Sequence, residues 1–221
     1  ASIQQKKIWE LWNLKWENMP MTDYTIGIDS TENMRKKIQE KPWPIYKIKV
    51  ANKEDISTLK ELRKETNAII RIDANGGWTL EEALEIIPTL HELQIECIEQ
   101  PLAKTQNEEM LAIQKVCSIP LFADESCVSE MDVSVCAKYF DGINIKLTKC
   151  GGLTPAYRMI KHARELGLKV MMGCMNETEP GSYAIAQFLP LLDYVDMDGP
   201  LLLDTPPLKR LRYEAGVIHL L

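Results

Sequence analysis

Short apolar runs alternate with longer amphipathic runs along most of the chain. In the segment IYKIKV, residues 45–50, apolar side chains alternate with Lys47 and Lys49, which is the two-residue period of a strand. Seven runs of helical period separate eight strand-like runs, which are YTIGI, IYKIKV, AIIRID, CIEQ, LFADE, GINIKL, KVMMG and YVDMD. This alternation predicts a parallel sheet with helical crossovers.

Helix start signals support these boundaries. Ser30 is a predicted N-cap, Thr79 and Glu82 form a predicted capping box, and Asn107 precedes an acidic first turn. Eight evenly spaced units favour a TIM-type (β/α)7β barrel over an open doubly wound sheet. The absence of a glycine-rich dinucleotide turn after the first strand also favours the barrel.

In a barrel, Lys47 and Lys49 point into the interior, where buried ammonium groups require anionic partners. Three consecutive strands supply carboxylates at their carboxyl ends, namely Asp73, Glu99 and Asp124. Oxygen ligands that converge from neighbouring strands suit Mg²⁺, which seldom takes a complete protein cage. The sequence therefore predicts a Mg²⁺ site at this end of the barrel.

The sixth and eighth strands add further polar residues at the same end. Strand six turns Lys146 inward, and because strands two and six stand four apart in a ring of eight, Lys146 is expected to face Lys49. Strand eight ends with Asp196 and Asp198. Two lysines on opposite sides of a planar intermediate, stabilised as an enediolate by Mg²⁺, predict racemisation or epimerisation at a carbon.

Each feature alone has an ordinary structural explanation. A KxK pattern in a strand is usually a solvated face, and acidic residues at strand ends often cap helices. The hypothesis depends on their conjunction at the functional face of one barrel.

Composition and charge exclude several other classes of protein. Of the 221 residues, 45% are apolar and 26% are charged, with a net charge of −6 and no basic cluster, so nucleic acid is not an expected partner. No apolar run is long enough to span a membrane. The six cysteines contain no CxxC pair and the three histidines lack ligand spacing, which favours buried reduced thiols in a cytoplasmic protein.

The segments YTIGID, YKIKV, RIDANGGWT, IEQPL, ADES, DGINIKLTKCGGLT, GCMNE and DMDGPLLL resemble the barrel domain of the enolase superfamily, in its muconate-lactonizing subgroup. The dipeptide epimerases of the L-Ala-D/L-Glu type are the most similar group. The resemblance implies Mg²⁺ ligands, an acid/base lysine pair, an accessory lysine and a site for the substrate ammonium group. The implied Mg²⁺ ligands are Asp73, Glu99 and Asp124, and the implied acid/base pair is Lys49 and Lys146. Lys47 is the implied accessory lysine, and Asp196 and Asp198 are the implied site for the ammonium group.

The resemblance also implies a division of the chain and an activity. Residues 1–23 are interpreted as the end of a capping-domain helix and a linker, 24–203 as the catalytic barrel, and 204–221 as a segment that returns toward a capping domain absent from this chain. The implied activity is Mg²⁺-dependent, two-lysine inversion of the α carbon of the C-terminal residue of a dipeptide. Glu179, where the family usually has small residues, suggests a different dipeptide preference.

Two alternatives remain open. An N-acylamino acid racemase, an o-succinylbenzoate synthase or a cycloisomerase of the same subgroup would use the same lysines and metal ligands, but its substrate has no free ammonium group for the aspartate pair. The second alternative is an inactive, uncapped barrel fragment. A homo-oligomer is also left open.

Overall fold

The chain folds as a closed barrel of parallel strands. The computed structural model describes residues 2–204 and 208–221. Within these ranges eight strands form one sheet in sequence order. They are β1 (Tyr24–Ile26), β2 (Ile45–Lys49), β3 (Ile69–Asp73), β4 (Ile95–Glu99), β5 (Leu121–Ala123), β6 (Gly142–Ile145), β7 (Lys169–Gly173) and β8 (Tyr194–Asp196).

A parallel bridge between Thr22 and Val195 joins the chain before β1 to β8. The amide of Met197 also donates to the Thr22 hydroxyl at 2.9 Å, so the first and last strands meet. Closure agrees with the predicted barrel and excludes the open doubly wound sheet. Because barrel strands are staggered, the start of β1 lies level with the end of β8.

Helices cover the outside of the sheet, and short additional helices lie near both chain ends. Within the described residues the α-helices are α1 (Ile8–Leu11), α2 (Thr31–Glu40), α3 (Asp55–Glu65), α4 (Leu80–Glu92), α5 (Asn107–Gln114), α6 (Val133–Cys136), α7 (Leu147–Cys150), α8 (Leu153–Glu165), α9 (Glu179–Ala186) and α10 (Gly199–Leu202). A hairpin of β9 (Leu211–Glu214) and β10 (Val217–Leu220) follows. No described helix combines the length and apolarity required to cross a bilayer.

The predicted caps are partly correct. The Ser30 hydroxyl accepts the Asn33 amide, and Thr79 with Glu82 forms the complete capping box. Asn107 is not a cap, because α5 already begins at that residue and Gln106 occupies the N-cap position without a side-chain bond. The acidic first turn correctly predicted a helix here, but the helix begins one residue earlier than the predicted cap implied.

Strand alternation separates two layers of the interior. Outward-facing side chains join the helices in one large apolar core. Inside the barrel, Cys97, Phe122 and Met171 form a small apolar cluster, against which Tyr194 packs. This cluster leaves the inward positions near the carboxyl ends of the strands, here called the mouth, to polar side chains.

Glu179 binds the backbone at the start of the hairpin. One of its carboxylate oxygens accepts the backbone amides of residues 209, 210 and 211, at 2.7, 2.6 and 3.0 Å. The residue therefore anchors the start of the hairpin, and the different dipeptide preference that it suggested stays a prediction. The predicted division at residues 23 and 203 stays a prediction, and residues 1 and 205–207 of its terminal segments lie outside the described residues.

Candidate active site

A cavity of about 440 Å³ opens at the mouth of the barrel. Its lining includes both lysines of the predicted acid/base pair, Lys49 and Lys146, and both aspartates of strand eight, Asp196 and Asp198. The alternation of β2 and β6 and the end of β8 bring these residues together from distant parts of the chain. Six of the eight sequence-predicted site residues line this cavity, whereas Asp73 and Glu99 do not.

Lys47 also lines this cavity and contacts three carboxylates. Its ammonium nitrogen is 3.1 Å from Asp73, 2.7 Å from Glu99 and 2.9 Å from Asp196. The side chain is only 4% exposed. Although burial favours the neutral amine, the carboxylates, led by Asp196 and Glu99, raise the pKa of Lys47 well above its usual value.

Lys49 approaches the same group of carboxylates from the cavity side. Its nitrogen lies 2.6 Å from Asp73 and 3.0 Å from the side-chain oxygen of Asn75. The Asn75 amide nitrogen reaches Glu125 at 3.2 Å. Despite its burial, Asp73 has a lowered pKa, because Lys47 and Lys49 stabilise its charge.

Asp124 is held by two lysines. Lys146 lies 2.7 Å from one of its oxygens, and Lys149 lies 2.5 Å from the other. Lys149 was missed in the sequence, although its position one helical turn after Lys146 was a readable signal, since α7 begins immediately after Lys146. Burial opposes the charge of Lys146, but Glu99 and Asp124 raise its pKa.

Glu99 is affected by the charges of both other predicted metal ligands, although in the described part of the chain the ligand atoms of Asp73, Glu99 and Asp124 do not all lie within 4.8 Å of one another. Burial raises the pKa of Glu99 to about 7, and repulsion from Asp73 and Asp124 adds to the increase. The Asn144 amide donates to Glu99 at 2.7 Å. The predicted metal ligands lie at the carboxyl ends of β3, β4 and β5, which are direct neighbours in the sheet. Asp73 pairs with Glu99 in register.

These residues fit a divalent cation. All three ligands are buried carboxylates, and the ammonium group of Lys47 already supplies a cation to two of them. The side-chain oxygen of Asn144, beside Glu99, has no hydrogen-bond partner among the described residues. A cation that keeps some of its water, as Mg²⁺ does, could satisfy such an acceptor.

A second acidic group lies at the end of β8. Burial and repulsion from Asp196 raise the pKa of Asp198 to about 7, and the backbone amide of Thr25 donates to Asp198 at 2.6 Å. Ligand atoms of Cys174, Asp196 and Asp198 lie within 4.8 Å of one another. Cys174 was not identified from the sequence, because a single cysteine at a strand end carries no distinctive spacing.

Gln100 holds the loop that carries Asp124, and it too was missed. Its side-chain oxygen accepts the amides of Asp124 at 3.0 Å and Ser126 at 3.1 Å. Its side-chain nitrogen donates to the carbonyl of Leu102 and the hydroxyl of Ser126. The residue itself has φ of 39°, so the end of β4 adopts a backbone conformation that is uncommon outside glycine.

Comparisons with known proteins agree with this geometry. A model of the enolase C-terminal domain-like family matches residues 29–219. The chain is 55% identical over 203 residues to the L-Ala-D/L-amino acid epimerase of Flavobacterium johnsoniae, and 38% identical over 215 residues to the L-Ala-D/L-Glu epimerase of Bacteroides thetaiotaomicron. These alignments cover 92% and 96% of this chain but only 60% and 56% of the two relatives.

Solved structures show the same similarity. A substrate-liganded L-Ala-D/L-Glu epimerase from Bacillus subtilis superposes with a TM-score of 0.91 and 28% identity, covering 100% of this chain and 66% of that one. A dipeptide epimerase from Cytophaga hutchinsonii, complexed with Mg and D-Ala-L-Val, superposes with a TM-score of 0.89 and 29% identity. The superposition covers 96% of this chain and 61% of that one. The chain therefore spans roughly three-fifths of the length of these matched proteins.

Proposed function

Because the chain belongs to the enolase C-terminal domain-like family, we propose that it is the barrel of a Mg²⁺-dependent dipeptide epimerase. The proposed reaction inverts the α carbon of the C-terminal residue of a dipeptide. The relatives that carry epimerase names support this reaction class. The observation that carries the proposal is that one cavity is lined by both lysines of the predicted acid/base pair and by a pair of buried aspartates.

Asp73, Glu99 and Asp124 would hold the Mg²⁺ ion. When bound, the ion supplies positive charge that stabilises negative charge on a substrate carboxylate. Lys49 and Lys146 are the proposed acid/base pair, in which one amine removes the α proton and the other ammonium returns a proton to the opposite face. Two proton transfers of this kind invert the carbon without a net change in atoms.

Asp196 and Asp198 are the proposed site for the α-ammonium group of the dipeptide. Paired carboxylates suit a cationic group that must leave water, because each supplies a charge-assisted hydrogen bond. This site separates the proposal from the racemase, synthase and cycloisomerase alternatives, whose substrates have no free ammonium group. All six cysteines are free, which supports a reducing compartment, and we place the protein in the cytoplasm.

The test follows α-proton exchange into D₂O, separately for L,L and L,D dipeptides, with the full-length protein. Lys49→Ala and Lys146→Ala should each reduce epimerisation by at least ~100-fold while leaving exchange from one epimer. Lys53→Ala is the matched control, because Lys53 pairs only with Glu85 on the surface.

The two-lysine mechanism is wrong if either active-site variant interconverts the epimers at a rate near the parent's. The inactive-fragment alternative gains support instead if the full-length parent catalyses neither exchange nor epimerisation with any dipeptide in a library. An N-acylated amino acid that reacts faster than every dipeptide would favour the racemase alternative.

A further inference from the structure

Asp23 is a completely buried carboxyl group that neither the lysine pair nor the metal ligands explain. It precedes β1, and because Thr22 bridges to Val195 in parallel, Asp23 lies beside Asp196 on the neighbouring strand, with both residues buried. This placement arises from the stagger of the barrel, which sets the beginning of the first strand beside the end of the last. Asp23 therefore supports Asp196 from below the cavity.

Each of these two carboxyl groups has one satisfied and one unsatisfied oxygen. Oδ2 of Asp23 accepts from Arg71 at 2.9 Å, and Oδ2 of Asp196 accepts from Lys47 at 2.9 Å. The Oδ1 atoms of both residues are buried without a donor among the described residues. Two buried acceptors on neighbouring strands with no donor are costly, and one shared proton would satisfy both.

The surrounding charges favour a neutral Asp23. Arg71 also binds Glu96 at 2.6 Å, and Lys47 also binds Glu99 at 2.7 Å, so neither cation serves Asp23 alone. Burial and the charge of Asp196 raise the pKa of Asp23 well above its usual value, with a smaller contribution from Asp198. Arg71 and Lys47 oppose this shift without cancelling it.

We propose that Asp23 is a positioning residue that stays protonated and donates a hydrogen bond to Oδ1 of Asp196. The bond fixes the orientation of the Asp196 carboxylate and keeps that carboxylate ionised. It also leaves Asp196 free to use its remaining lone pairs toward Lys47 and the cavity. The protonation of Asp23 stands on its own, whereas the consequence for a bound ammonium group rests on the proposed function.

Infrared spectroscopy tests the proton directly and requires no turnover. At about pH 9, roughly two units above the pKa of about 7 of Glu99 and Asp198, the parent should retain the carbonyl stretch of a protonated carboxyl group. Asp23→Asn should lose this band. Asp29→Asn is the matched control, because Asp29 is exposed and has a lowered pKa, so only a carboxylate band should disappear.

Kinetics tests the positioning role. Asp23→Ala should raise KM for a dipeptide about tenfold, since one buried acceptor loses its donor, and kcat should change less. Asp23→Asn should recover most of this loss, because its amide can accept from Arg71 and donate to Asp196. Equal damage by both substitutions overturns the positioning role.

The infrared result decides the protonation whatever the kinetics show. If no protonated-carboxyl band persists in the parent at high pH, the proposal is wrong even if the protein epimerises dipeptides. This measurement uses the unsubstituted protein, so it remains decisive if a variant at Asp23 fails to fold. Conversely, a persistent band that disappears in Asp23→Asn, in a protein with no dipeptide activity, supports the shared proton and contradicts only the proposed function.

Discussion

Replacing Lys47 with methionine should destabilise the metal-free protein strongly. The substitution keeps the length of the side chain but removes the ammonium group that contacts Asp73, Glu99 and Asp196 at 2.7 to 3.1 Å. At an effective dielectric constant of about 20, each such contact corresponds to about 5 to 6 kcal/mol of attraction before desolvation is subtracted. Desolvation offsets most of this, and removing one partner of a buried pair typically costs about 3 to 5 kcal/mol.

The assay is chemical denaturation in EDTA, compared with Lys149→Met. Lys149 is 21% exposed, and its ion-pair partner in the described part of the chain is Asp124, which keeps Lys146 as a second partner. Its replacement should therefore cost less than that of Lys47, because no buried carboxylate is left without a cation. Lys47 lowers the pKa of Glu99, so in Lys47→Met this carboxyl group should take up its proton at a higher pH than in the parent, and we expect the loss to shrink as the pH falls toward about 7.

Two outcomes would refute this reasoning. A loss for Lys47→Met no larger than that for Lys149→Met would mean that the buried ammonium group does not hold the carboxylates together. A large loss that is independent of pH would mean that packing, rather than charge, explains the effect, because protonation of Glu99 would then relieve nothing.

Three further predictions concern single sites. Folding raises the pKa of Glu99 from 4.5 to about 7, so Glu99 should contribute a fall of about 3 kcal/mol in the free energy of unfolding of the metal-free protein as pH rises through this window. In denaturation curves Glu99→Gln should remove this share of the slope and leave the share of Asp198, whose pKa is also raised to about 7. Glu179→Ala should speed amide hydrogen exchange at residues 209–211, where the parent accepts three backbone amides, and unchanged exchange would contradict the anchoring role. Gly142→Ala should cost about 2 kcal/mol, since the added Cβ would lie 2.3 Å from a buried aromatic ring, whereas Gly27→Ala, which meets nothing within 4 Å, should be tolerated in thermal unfolding.

The sequence was most informative where a local period carries the information. The alternation in β2 predicted that Lys47 points into the barrel, and the structure buries it among carboxylates from three other strands. The end positions of β3, β4 and β5 predicted that Asp73 and Glu99 would be neighbours, and their register pairing agrees. Strand period and strand order are enough for such predictions, because every strand of a parallel barrel ends at the same rim.

The residues that were missed depend on contacts between distant segments. Asp23 precedes a strand, where an aspartate usually belongs to a turn, and only the stagger of the closed barrel brings it to Asp196. Gln100 acts through an uncommon backbone conformation at the end of β4, which no residue type announces. Barrel closure and backbone detail of this kind are set by the whole chain, so a single sequence does not specify them.

The two lysines of the KxK segment differ in a way that bears on their proposed roles. Lys47 is 4% exposed and held by three carboxylates, whereas Lys49 is 27% exposed and contacts one carboxylate and an exposed asparagine. A proton-transfer group must reach the substrate and alternate between charged and neutral forms, which the contacts of Lys47 oppose because they stabilise its ammonium form. Lys49 has fewer such contacts and is the more exposed of the two lysines in the cavity that both line, so the structural asymmetry supports Lys49 as the acid/base and Lys47 as the fixed counter-charge.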